Sequence, residues 1–504
     1  MHRCTPLLAL SLLCGCADAP GQFPTEEWRH VAPEEAGVDS RVLAAALEDA
    51  LDGGLHLHEL LVVRHGAIVL DARFFPYDGT RPHDVGSCTK TLTSLAVGAA
   101  LESGAIASLD APVLSFFPER SFAHDDARKR ALTLEDLLTM RSGLDCVAEP
   151  AEPTLSAMIA SPDPIQFTLD LPMVADPGAA WSYCGPASHV ASAVVGATTG
   201  MPEDEWLRAR LFDRIGVGEV VWPRDAQGVA HGWGDARVDA EDLARVGLLL
   251  LHGGEWDGER LLDPAWVSAA TTNRVGSAGP ASGYGYQIWI ESGGGFYANG
   301  RGGQFVFVQP DEDLVIVALG SASPDELPRW FEVLGAIRAG LHDAPLPASP
   351  EGEASLSALV TRAAAPPAPM PVDPLPAIGA EISGVEHTVA SSPIGWERFA
   401  LRFADDHASL TVTVGAAAST FDVGLDGVPR ITRGGRLGSD PRHDDLDLAA
   451  TGRWTREDTF EIVFDTIDRI DAGTLTFTFD ADGAAIDLFE RTYLLTHLPF
   501  EARR

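Results

Sequence analysis

Residues Val85 to Ser94 read VGSCTKTLTS and place an amine three positions after a serine. Of the 36 Lys and Arg residues in the chain, only Lys90 and Lys129 are lysines. A guanidinium keeps its proton inside a protein, whereas a desolvated ammonium can titrate near neutrality. Ser87 and Lys90 stand at i and i+3, so on a helix they share a face. Such a pair suits nucleophilic catalysis, with Lys90 as the base that takes the proton of Ser87. A helix beginning near Ser87 also directs an unpaired backbone N–H and the positive end of its dipole at a forming oxyanion. The competing reading is an N-cap serine beside a solvent-facing lysine. Lys129 has Asp126 three places before it, so Ser87 and Lys90 form the single SxxK tetrapeptide, and no GxSxG elbow supplies a rival nucleophile.

The elements around this pair can be read from periodicity. Beyond Ser87, the residues Leu92, Leu95, Ala96 and Ala99 fall on one helical face, ending at Gly104. HELLVVRHGAIVLDARFF predicts two strands turning near His65-Gly66, and GQFVFVQP and DLVIVALG predict two more, joined at Pro310-Asp311. LTLEDLLTM and DAEDLARVGLLLL read as helices with acidic first turns. Strands at both ends with helices between predict an α+β domain over residues 24–345, whose sheet joins early and late segments. Residues 346–377, which include AAAPPAPMPVDPLP, read as a Pro-rich linker. From 378 to 504 the period becomes two (RFALRF, SLTVTV, TFEIVF, TLTFTF), predicting a small antiparallel barrel or sandwich. It carries no nucleophile constellation, which points to a structural or binding role.

At 504 residues the chain is long enough for these two domains, and 45% hydrophobic with 22% charged residues describes a globular protein with ample core. A formal net charge of −37 argues against nucleic acid, whose phosphates it would repel. The opening MHRCTPLLALSLLCGCADAP has a short basic start and an apolar run too short to span a bilayer. Residues 1–15 therefore read as a signal peptide, and Leu13-Cys14-Gly15-Cys16 resembles a lipoprotein cleavage box with lipid on Cys16. An exported protein, lipid-anchored in the cell envelope, is expected. Of six cysteines, Cys88, Cys146 and Cys184 would remain, allowing one disulfide in three possible pairings. No CxxC or Cys/His spacing suggests a metal, HLHEL lacks the HExxH spacing, and no cofactor is expected.

Larger stretches carry a family resemblance. GSCTKTLTSLAVGAALESGAIASLDAPVLSFFPE, LTLEDLLTMRSGL, WSYCGPASHVASAVVGATTG, DAEDLARVGLLLLHGGEWDGERLLDPAWV, GYGYQIWI and GRGGQFVFVQPDEDLVIV occur in the order found in β-lactamase-related serine hydrolases. That group includes class C β-lactamases, D-alanyl-D-alanine carboxypeptidases, related esterases and 6-aminohexanoate-dimer hydrolases, and the likeness spans roughly residues 30–340. The resemblance implies a β-lactamase/transpeptidase-like fold, Ser87 as nucleophile, Lys90 as base, and Tyr183 relaying the proton to the leaving group. Gly185 departs from the family's Tyr-x-Asn-like motif, which weighs against efficient β-lactam or peptide turnover. Arg301-Gly302-Gly303 fits the family's third motif. By analogy the Gln304 N–H would join that of Ser87 in an oxyanion hole, and Arg301 would hold a substrate carboxylate. The same residues also read as a Gly-rich turn with a solvent-facing Arg. Two functions follow: a monomeric serine hydrolase acting on a small ester, amide or peptide, or a binding lipoprotein that keeps the fold without turnover.

Overall fold

The computed structural model describes residues 23–504, apart from 150, 281, 292, 441–443 and 493–495. Cys16 and the expected signal segment lie outside the described residues.

The predicted hairpin forms as Leu57–Arg64 and Ala67–Arg73. Its first strand pairs antiparallel with Leu314–Gly320, joining the early and late chain as expected. The sheet continues through Gln304–Gln309 and Phe296–Gly300 to Trp289–Ile290, six strands in all. Because strand side chains alternate between faces, the central strands feed two cores. Leu61, Val63, Val306, Val308, Val315 and Val317 meet the helices Cys88–Glu102 and Ala240–Leu251. Leu60, Val62, Phe305, Phe307 and Ile316 meet the helices Ser40–Asp52 and Leu327–Ala339 on the other side.

The helix after Ser87 departs from the expected one-sided pattern. Every residue from Cys88 to Ala100 is buried, Lys90, Thr91, Thr93 and Ser94 included. Its threonine hydroxyls are satisfied in place: Thr89 donates to the Gly86 carbonyl at 2.7 Å, Thr91 to that of Gln287 at 3.0 Å, and Thr93 to that of Gly232 at 3.2 Å. Such pairing lets polar residues sit at the centre of a domain.

The stretch 346–377 divides differently from the predicted linker. Pro350–Ala364 is a helix packed on the first domain through Leu356, Leu359, Val360 and Ala363. Those four fall at i, i+3, i+4 and i+7, with Pro350 at the first helical turn where its missing N–H costs nothing. Residues 346–349 and 365–376 lack regular structure.

Residues Glu386–Arg503 form a ten-stranded sheet that closes through a parallel bridge, Gly424 to Thr451. Nine strands ring the barrel, and Arg430–Gly435 lies beside its seam. The alternating burial of His407–Val414 and Ala472–Phe479 fills it with Leu410, Val412, Leu475 and Phe477. The barrel docks on the first domain by a small apolar cluster of Tyr77, Ala449 and Ile467 and by polar contacts. Arg81 pairs with the buried Asp447 at 3.0 Å, Arg433 with Asp78 at 2.8 Å, and Ser321 donates to Asp465 at 2.6 Å.

Candidate active site

The turn before the helix is built from a short strand pair, His83–Asp84 with Arg237–Val238. Asp84 accepts the Gly86 N–H at 2.8 Å, and Gly86 takes a left-handed φ of 50°, open to glycine at little steric cost. The chain then enters the helix with Ser87 at its N-cap. One turn on, Lys90 Nζ lies 3.0 Å from Ser87 Oγ and donates to the Trp233 carbonyl at 2.6 Å. Burial lowers Lys90 to about 8, against opposing pulls from Glu152 and Asp235 that favour its charged form. A neutral amine has two N–H donors and one lone pair. With a donor on Trp233, the lone pair is free to face the Ser87 hydroxyl.

The Trp233 carbonyl is itself held. His231 stacks on the Trp233 ring at 4.0 Å and His189 meets it edge-on at 4.6 Å. His189 pairs with Asp225 at 3.1 Å. Gly232 presses against the Ser188 carbonyl so closely that a methyl there would lie 2.5 Å from it. The sequence reading missed Trp233 because a main-chain acceptor leaves no side-chain signature.

Tyr183 comes from the segment before the helix Gly185–Thr199. The Cys146–Cys184 disulfide ties it down, selecting one of the three open pairings and leaving Cys88 buried and unbonded. Tyr183 stands beside Ser87, and its ring lies 4.8 Å from Lys90 Nζ. Burial, then the Glu152 carboxylate, hold its pKa above the usual phenol value, so the hydroxyl stays protonated. Trp289 stacks on Tyr183 at 6.3 Å, and Trp181 stands beside it. The place of the missing Gly185 side chain is occupied: a methyl there would meet Glu152 Oε2 at 3.0 Å and Leu155 at 3.2 Å.

Ser87, Lys90 and Tyr183 are thus brought together, and the third motif joins them with two corrections. The peptide beside Ser87 is Gly300–Arg301. A methyl on Gly300 would lie 3.1 Å from Ser87 N, and one on Gly86 3.1 Å from Arg301 N. These approaches set the Arg301 amide against the Gly86–Ser87 turn, which makes it, rather than that of Gln304, the candidate second donor. Gln304 lies across the ladder from Gly300, and its buried side chain clamps the turn by donating to the Arg301 and Gly320 carbonyls at 3.1 and 2.6 Å. Gly303, at φ 81°, packs against the Trp330 ring, where a methyl would approach to 2.9 Å. The Arg301 guanidinium does not await a substrate carboxylate: it donates to Asp471 of the barrel at 2.8 Å.

Comparison with known proteins places this geometry. The Beta-lactamase family model matches residues 43–333. The chain is 26% identical to the 6-aminohexanoate-dimer hydrolase of Paenarthrobacter ureafaciens, over 55% of this chain and 76% of that one. A penicillin-binding protein homologue from Caulobacter crescentus superposes with a TM-score of 0.51 at 19% identity, over 62% of this chain and 99% of the other. EstCE1, a hydrolase with promiscuous acyltransferase activity, does so at 0.50 and 18%, over 59% and 99%. At those identities the two structures share the fold.

Proposed function

This chain belongs to the Beta-lactamase family, and from that premise we propose an exported serine hydrolase that cleaves an ester, amide or lactam through an acyl-enzyme on Ser87. The observation that carries the reading is the 3.0 Å contact between Ser87 Oγ and the buried amine of Lys90. In the proposed reaction Lys90 takes the Ser87 proton as Oγ attacks the substrate carbonyl. The backbone N–H groups of Ser87 and Arg301 receive the oxyanion. The proton passes through the Tyr183 hydroxyl to the leaving group, which departs and leaves the acyl-serine. Water, giving up its proton along the same route, then hydrolyses that ester.

Ester or simple amide substrates are favoured over β-lactams. Glu152 and Leu155 close over Gly185, so no Asn side chain is available there to hold a substrate amide. The disulfide supports passage through an oxidising compartment, in keeping with lipidation at Cys16 and an anchor in the cell envelope. With labelled palmitate in a bacterial host, wild type takes up label and Cys16→Ser does not; equal labelling would refute the anchor.

The function is tested with a fluorophosphonate probe, followed by a panel of p-nitrophenyl esters, nitrocefin and D-Ala-D-Ala peptides. A mass adduct on the Ser87 peptide is expected. An adduct on another serine, or none, would defeat the acyl-enzyme, and its absence would favour the binding lipoprotein.

A further inference from the structure

The barrel sends one inter-strand loop, Ile467–Asp471, into the back of this site. The loop is closed on itself by Thr466, whose hydroxyl donates to the Asp471 carbonyl at 2.6 Å. Three of its contacts reach the turns around Ser87 and Arg301. The Asp468 carbonyl accepts the Asp84 N–H at 3.0 Å, extending the strand that leads to Ser87. Ile470, 1% exposed, lies between the two turns: a methyl on Gly86 would be 3.1 Å from its Cδ1, and one on Gly302 would collide with its Cγ2. Asp471 Oδ1 accepts from the Arg301 guanidinium at 2.8 Å. The Asp468 carboxylate meanwhile faces Arg81 at 3.5 Å and Arg237 at 3.7 Å, which fixes the loop laterally.

These contacts bear on the two peptides, those of Ser87 and Arg301, whose N–H groups receive the oxyanion in the proposed reaction. Gly302 and Gly303 follow Arg301 with φ of 77° and 81°, and a glycine pair of this kind leaves a turn many conformations. An oxyanion hole works only when its donors are already in place at the moment charge develops. Something must therefore restrict the turn. On one side Gln304 ties it to the sheet; on the other, Asp471 and Ile470 hold it from the barrel.

We propose that the barrel is a working part of the hydrolase, its Ile467–Asp471 loop clamping the Ser87 and Arg301 peptides in register, with Asp471 the positioning residue for Arg301. The inference rests on the reading of Ser87 as nucleophile, and it revises the expectation that the barrel stands apart from catalysis.

The test uses the full chain with a p-nitrophenyl ester. A hole that engages only the transition state affects kcat rather than KM. Asp471→Ala is expected to lower kcat about tenfold, short of the roughly 10²–10³ for deleting an oxyanion donor outright, with KM within about twofold. Asp471→Asn, which keeps the Oδ1 acceptor, should recover most of the loss. Arg301→Ala should match Asp471→Ala, and the double variant should be no worse than either, as for residues acting through one contact. Arg433→Ala breaks ion pairs to Asp78 and Asp447 on the same docking surface and should leave kcat unchanged within about twofold, because Arg81 still pairs with Asp447 and Arg433 has no contact with the turns around Ser87 and Arg301. If Arg433→Ala lowers kcat as much as Asp471→Ala, the loop acts through docking alone and the positioning role falls. An active wild type whose Asp471→Ala variant keeps full kcat overturns the inference alone. A wild type that neither labels at Ser87 nor turns over ester overturns the reading of the site and the inference with it.

Discussion

Lys90 Nζ donates to the main-chain oxygen of Trp233 at 2.6 Å, across 143 positions of sequence. That contact orients the amine, and burial lowers it to about 8, where it could serve in the base role proposed for it. The sign follows directly. Below about 8 the amine is protonated and cannot accept from Ser87, so kcat/KM should rise with pH through that value and then level. Lys90→Arg keeps a cation but cannot shed a proton. It should fold normally by circular dichroism and lose at least about 10² in kcat/KM, the lower end of the range for a general base. A folded Lys90→Arg enzyme within a few-fold of wild type would remove Lys90 from the mechanism.

Glu152 tunes that amine. Its carboxylate is the largest influence favouring the ammonium form of Lys90, and it also opposes ionisation of Tyr183. Glu152→Gln removes a negative charge, so Lys90 should lose its proton more readily. The rising limb of the pH–rate profile should therefore move to lower pH. A limb that moves upward, or stays, would show that Glu152 does not act on the base.

Much of this site was legible locally and little of it at long range. The SxxK pair, the hairpin turning at His65-Gly66 and the strands around Pro310 each declare themselves within about ten residues of sequence, where period and turn chemistry operate. The helix Pro350–Ala364 was hidden by the prolines on both sides of it, although Leu356, Leu359, Val360 and Ala363 keep a helical period. Arg301 and Asp471 are 170 positions apart and belong to different domains. Each is an ordinary charged residue in its own segment, so only the fold reveals that they meet. The shift from the Gln304 amide to that of Arg301 has a similar origin: the tightness of a glycine turn sets which N–H faces the serine, and motif spacing alone does not fix it.

The chain's second lysine provides a contrast with Lys90. Lys129 is 1% exposed, and its amine donates to the carbonyls of Ala123 at 2.8 Å and Leu169 at 2.6 Å. It ties the turn at Ala123 to the C-terminal end of the helix Pro164–Asp170 and lies outside the constellation of Ser87, Lys90 and Tyr183. Lys129→Met keeps the aliphatic length but leaves two carbonyls without a donor. Stability should fall by about 1–3 kcal/mol in denaturant titration, with kcat and KM within about twofold of wild type. A kinetic loss without a stability loss would mean that the residue serves the reaction.

The disulfide should do two separable things. Cys146 and Cys184 are 38 positions apart, and a loop of that length limits the unfolded chain by about 3–4 kcal/mol in the chain-entropy account. Cys184 also directly follows Tyr183, and the segment is further held by Met140, whose carbonyl accepts the Ser182 N–H at 2.8 Å. In Cys146→Ser/Cys184→Ser the global staple is lost and Tyr183 keeps only local restraints. Thermal melting should drop by several degrees or more, since about 1 kcal/mol shifts Tm by roughly 2–4 °C in a domain of 150–250 residues. Assayed well below that new midpoint, the variant should still lose several-fold in kcat while KM holds, because a Tyr183 hydroxyl that wanders from Ser87 fails in proton relay before it fails in binding. If kcat is unchanged in the folded variant, the bridge is only a staple, and Tyr183 is positioned by its ring contacts with Trp181 and Trp289 instead.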